Sequence, residues 1–86
     1  MKIQDKDKEI ILKLICYMLI NDFSLKDIGE ILDVTGTTIS NWIKKKKISR
    51  HNYFDLAFLL KDYNPPIKVY NFIKENINIF YPEYYL

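Results

Sequence analysis

Apolar residues in the first quarter of the chain recur at helical spacing: Ile10, Ile11, Leu14, Ile15, Met18 and Leu19 follow a charged first turn. This predicts a helix over residues 5–21, with Asp5 or Asp7 as its cap and acidic residues placed to suit the helix dipole. Leu12, Cys16, Tyr17 and Ile20 widen the stripe beyond a single face. The helix is therefore expected to be the central pillar of the domain or partly a subunit interface. After a break at Asn21, Asp22 and Phe23, Ser24 and Asp27 are spaced as a capping box, with Asp in place of the usual Glu, and open a second helix near Leu25. Ile28, Ile31 and Leu32 form its expected inner face. Gly29 lies inside this helix, where glycine costs about 1 kcal/mol relative to alanine, so its backbone is expected to be approached closely by the next helix.

Asp33 falls where the chain must turn sharply and take a left-handed conformation. Val34 then plugs the turn into the core, and Thr35 caps a third helix starting at Gly36 or Thr37. Ile39 and Trp42 or Ile43 face inward on that helix, leaving Thr37, Thr38, Ser40, Asn41, Lys44 and Lys45 outward. Ile48 is expected to tuck beneath the connector. Ser49 caps a fourth helix over residues 50–62, whose core side is Tyr53, Leu56, Ala57, Leu59 and Leu60. Pro65 and Pro66 separate it from a fifth helix over residues 66–78, with Pro66 as first helical residue and Ile67, Tyr70, Ile73 and Ile77 along one side. The aromatic tail, residues 79–86, is too apolar for a solvated terminus and is expected to pack against something. The fold class is all-α: one compact five-helix domain spanning residues 1–86.

Charge distribution changes the picture more than its total of +2. Lys44, Lys45, Lys46, Lys47 and Arg50 cluster between Val34 and Phe54 without a single carboxylate among them, whereas acids outnumber bases on either side. The positive block thus begins where the third helix ends, as a nucleic-acid contact would require. Composition narrows the alternatives. The single cysteine excludes an intrachain disulfide framework, and with one histidine it makes no metal site, so Cys16 is read as a small buried hydrophobe. The run from Ile10 to Ile20 is broken by Lys13 and is shorter than the ~20 residues needed to span a bilayer, and no signal peptide is visible. A cytoplasmic protein is expected, with no membrane association, no cofactor and no small-molecule ligand evident. Neither a glycine-rich phosphate loop nor a nucleophile arrangement is present, so an enzyme is not expected.

The stretch 24–47, and more loosely 10–61, resembles the helix-turn-helix of the Cro and phage-repressor superfamily, the XRE type. The resemblance rests on apolar residues at Ile28, Leu32, Val34, Ile39 and Trp42, the small Gly29 and the turn residue Asp33. It departs from the family at Asp33, where a glycine is usual, and after the third helix, where the lysine block replaces another glycine. The resemblance implies a lambda-repressor-like fold and sequence-specific binding of double-stranded DNA, as a repressor acting on a pseudo-palindromic operator. The third helix would then lie in the major groove. Thr37 and Asn41 are its best base readers, Asn by bidentate bonding to adenine and Thr by its methyl group. Gly36 would allow close backbone approach, and Thr38 and Ser40 fit either groove or phosphate contacts. Lys26, Lys44, Lys45, Lys46, Lys47 and Arg50 are the expected phosphate contacts. A homodimer through residues 66–86 would place two reading helices about 34 Å apart, and removal of residues 79–86 would leave a weakly binding monomer. The alternative from another class is a helix-turn-helix interaction or assembly module, such as a viral packaging or adaptor protein.

Overall fold

A computed structural model describes the backbone of residues 3–82 and the side chains of residues 6–82. It is all-α, with helices α1 (Ile3–Asn21), α2 (Leu25–Leu32), α3 (Gly36–Lys45), α4 (Arg50–Leu59), α5 (Ile67–Glu75) and the short α6 (Ile77–Phe80). The expected fifth helix is thus two: Asn76 interrupts it, its side-chain amide donating to the Phe72 carbonyl at 2.8 Å. Pro66 is the residue before α5 rather than its first, and α4 ends three residues earlier than its periodicity predicts. Of the aromatic tail, residues 83–86 lie outside the described residues. No described helix is long and apolar enough to cross a membrane.

The pillar expected at α1 is present. Ile11, Leu14, Ile15 and Met18 are fully buried, with Leu12 and Cys16 beside them, and α4 and α5 both pack on this helix. Its stripe is rotated from the expected one, so that Leu19 and Ile20 face outward. Ile28, Ile39, Ile43, Leu56, Leu60 and Ile77 complete one core, and Trp42 and Ile48 close its edge. Ile31 and Ile67, expected inward, are half or more exposed. Burial pushes the Cys16 thiol up to about 11, so it packs as an inert hydrophobe.

Asp7 does not act as a free cap. It is buried, and its Oδ2 accepts from the Ile48 backbone N–H at 3.4 Å, tying the start of α1 to the connector between α3 and α4. Ser49 precedes α4 without capping it through its side chain, because its hydroxyl accepts from the Asn52 amide at 2.8 Å instead.

Three helices end on a residue in the left-handed region, and none of the three is glycine: Asp22 after α1, Asp33 after α2 and Lys46 after α3. The pattern of closure is shared. Asp33 and Val34 both donate their N–H to the Gly29 carbonyl, and Lys46 and Lys47 both donate to the Trp42 carbonyl. A left-handed L-residue costs about 1–2 kcal/mol, less for Asp, and glycine relieves it while losing some chain entropy on folding. Asp33→Gly, at φ 59° and ψ 43°, is accordingly expected to stabilise the fold by roughly 0.5–1 kcal/mol, read as a raised urea midpoint at unchanged slope.

Candidate nucleic-acid interface

The site is built on α2, the turn at residues 33–35, and α3. The α2 N-terminus is held by the predicted capping box: Asp27 N–H donates to Ser24 Oγ at 3.1 Å, and Ser24 N–H donates to Asp27 Oδ2 at 2.9 Å. The Ser24 backbone N–H, and after it the Ser24 hydroxyl, hold the Asp27 carboxyl below the usual carboxylate range. A folded-state pKa below the unfolded one means that this cap stabilises above the ordinary carboxylate range and weakens as pH falls through the folded value.

Gly29 sets the distance between the two helices. A Cβ there would stand 2.6 Å from the Val34 carbonyl oxygen and 3.3 Å from the Gly36 nitrogen. The close neighbour is therefore the turn and the first residue of α3, rather than the body of α3. Thr35 caps α3 as predicted, its Oγ1 accepting from Thr38 N–H at 3.2 Å. With Ile39, Trp42 and Ile43 all buried, the rotation of α3 about its axis is determined.

That rotation separates the candidate reading residues. Thr37 and Asn41 are exposed one turn apart, in line with exposed Lys44 and Lys45. Ser40 is half-buried at the edge of this face. Thr38 is also half-buried, and its hydroxyl lies 3.0 Å from Thr35 Oγ1, so it is engaged in the cap. Among the phosphate candidates, Lys26 is exposed in the first turn of α2, and Lys47 and Arg50 are exposed beyond α3. Lys46 is half-buried at the helix exit. Lys44, Lys45 and Lys47 have no carboxylate partner among the described residues; the ion pair nearby is His51 Nε2 with Asp55 Oδ2 at 3.5 Å.

One cation escapes sequence reasoning. A cavity of about 320 Å³ is lined by Lys6 and Asp7 of α1 together with Lys47 and Arg50, so the start of α1 borders the block from more than forty residues away. Nothing in local spacing signals this; the Asp7 bond to Ile48 brings the two segments together. No group of three or more His, Cys, Asp or Glu among the described residues is placed to hold a metal ion.

No protein-family model matches this chain, and neither does any curated protein or solved structure.

Proposed function

We propose that the protein is a cytoplasmic DNA-binding regulator of the XRE helix-turn-helix type, acting by binding rather than catalysis and repressing from a pseudo-palindromic site. The observation that carries this reading is the outward face of α3. Thr37 and Asn41, short and able to hydrogen-bond, stand on a helix fixed by three buried residues and continue into exposed Lys44 and Lys45, which have no carboxylate partner among the described residues. Thr37 and Asn41 read base edges. Ser40 supports them at the groove edge, and Thr38 acts mainly by holding the start of the helix. Lys26, Lys44, Lys45, Lys46, Lys47 and Arg50 grip the phosphates, joined by Lys6.

Tight binding by a module this small calls for two copies. Val69, Phe72, Ile79 and Phe80 are exposed on α5 and α6, with the Phe72 and Phe80 rings 6.2 Å apart, and this patch supports pairing through residues 66–86. The deciding experiment is selection of bound duplexes from a random pool, followed by anisotropy titrations on the selected site across salt concentrations. With about five phosphate contacts per subunit, log K is expected to fall with a slope of about −4 to −5 per subunit against log salt. A slope near zero, or a pool that never converges, would sink the reading and favour the assembly-module alternative.

A further inference from the structure

Lys13 interrupts the apolar run of α1, and neither the core nor the candidate interface uses it. It is half-buried and lines a groove of about 540 Å³ between α1, α4 and the start of α5. Ile10, Tyr53, Pro65 and Tyr70 give this groove half-buried apolar and aromatic groups, and Ile67 joins them with 67% of its surface exposed. Its volume falls within the range of about 300–1,000 Å³ usual for small-molecule sites. Ile67 and Tyr70 stand one turn apart on α5, on the side away from Val69 and Phe72, so the groove is separate from the patch that supports pairing.

Charge narrows the occupant. The ionised groups lining the groove are Lys6, Glu9 and Lys13, which follow at spacings of three and four on α1 and so share one side of it. Glu9 Oε2 accepts from the Tyr70 hydroxyl at 3.0 Å, whereas neither Lys6 nor Lys13 has a carboxylate partner among the described residues. The lining therefore carries one positive charge in excess, and the Lys74 ammonium, 6.0 Å from the Tyr70 ring, adds to the positive side. Lys6 belongs to the phosphate grip proposed above, which leaves Lys13, set among apolar groups, as the cation without a role. Such a site matches a single negative charge on an apolar body. A phosphate dianion or a nucleic-acid strand would bring more negative charge than is offset here and would meet Glu9, and a basic ligand would be repelled by two lysines.

We infer that the groove between α1, α4 and α5 binds a small organic acid, a monocarboxylate with an aliphatic or aromatic body. Its carboxylate lies on the Lys13 ammonium and its body against Tyr53, Ile67 and Tyr70. The Asn64 side-chain amide, which lines the same groove, is a second donor for the carboxylate. The groove shares Lys6 and Tyr53 with the cavity beside Lys47 and Arg50, so a bound acid sets a negative charge next to the basic block.

The test is an amide NMR titration of the full chain, without DNA, with phenylbutyrate, phenylbutanol and phenylbutylamine, which share one apolar body and differ in charge. Phenylbutyrate is expected to saturate with a dissociation constant of about 1 mM or tighter, shifting the amides of Lys13, Tyr53, Ile67 and Tyr70. The alcohol and the amine are expected to bind at least about fivefold more weakly. Lys13→Gln is expected to weaken the acid about fivefold and to leave the alcohol unchanged. Lys13→Arg keeps the charge and is expected to hold the acid within about threefold of wild type. Ile67→Ala is expected to weaken acid and alcohol alike, by about threefold or more. Cooperative melting checks each fold, and Lys13→Met replaces Lys13→Gln if that variant fails it. No saturable shift below about 10 mM, equal affinity for acid and alcohol, acid binding unmoved by Lys13→Gln, or shifts confined to another face would each overturn the inference. Because no DNA is present, these outcomes are independent of whether the protein reads DNA.

Discussion

Replacing Lys44, Lys45 and Lys47 together by alanine is expected to lower affinity for random duplex DNA about a hundredfold or more at ~0.1 M salt, while thermal stability changes little. Each phosphate contact contributes about 0.9 to the salt slope, so three removed contacts flatten it by about 2.7, and the affinity loss follows from that slope at low salt. The three side chains are suited to this because they are exposed and have no carboxylate partner among the described residues, so no folded-state ion pair is lost with them. Asn41→Ala provides the contrast. A bidentate contact to adenine is worth about 1–3 kcal/mol of discrimination, so this variant should lose affinity for the selected site and hardly any for random DNA. Equal losses on both DNAs would make Asn41 a phosphate contact. A triple variant that binds random DNA as wild type does would remove the lysine block from the interface.

Gly29→Ala is expected to destabilise the fold by about 2–3 kcal/mol, lowering the melting temperature by about 10–20 °C for a chain of this size. The added methyl would sit 2.6 Å from the Val34 carbonyl oxygen, a backbone atom with no rotamer to yield. Relief requires α2 and the turn to move apart. That movement would strain the bonds from Asp33 and Val34 to the Gly29 carbonyl and shift the start of α3 with them. DNA binding should therefore suffer even at temperatures where the variant remains folded. Gly36→Ala is the control, since its Cβ would meet only ordinary contacts at 3.5 Å and its stability should stay within about 0.5 kcal/mol of wild type. If Gly29→Ala melts like wild type, the close approach of turn to helix is not what the glycine serves.

Much of the candidate site was legible because its determinants are local. A capping box is an interaction across three residues, so Ser24 and Asp27 announce the start of α2, and Thr35 likewise announces α3. Helical periodicity placed Ile39 and Trp42 or Ile43 inside and Thr37 and Asn41 outside, and the fold buries Ile39, Trp42 and Ile43 together. The departures from the family's glycines, at Asp33 and in the lysine block after the third helix, were visible too. The left-handed turn at Asp33 was expected as well, whereas the left-handed exit at Lys46 could be seen only in the fold.

The remaining features depend on contacts between distant segments. Asp7 looks like a helix cap on its own helix and becomes a buried anchor only because Ile48 is folded against it. Lys6 joins the basic block for the same reason. Thr38 belongs to the polar face by spacing, yet its hydroxyl turns to the cap. Periodicity also assigns more apolar residues to the core than the core can hold. Leu19, Ile31 and Ile67, expected inward, remain outside together with Phe54, Phe58 and Phe72, because a chain this short encloses one core and the surplus must face outward. The sequence by itself thus determined the all-α class, the caps of α2 and α3 and the outward polar face of α3, which follow from interactions within a turn or two of helix. Which apolar residues are left exposed, and which charged residues distant in sequence border one cavity, were decided by the tertiary structure, since both depend on how the helices divide a limited interior.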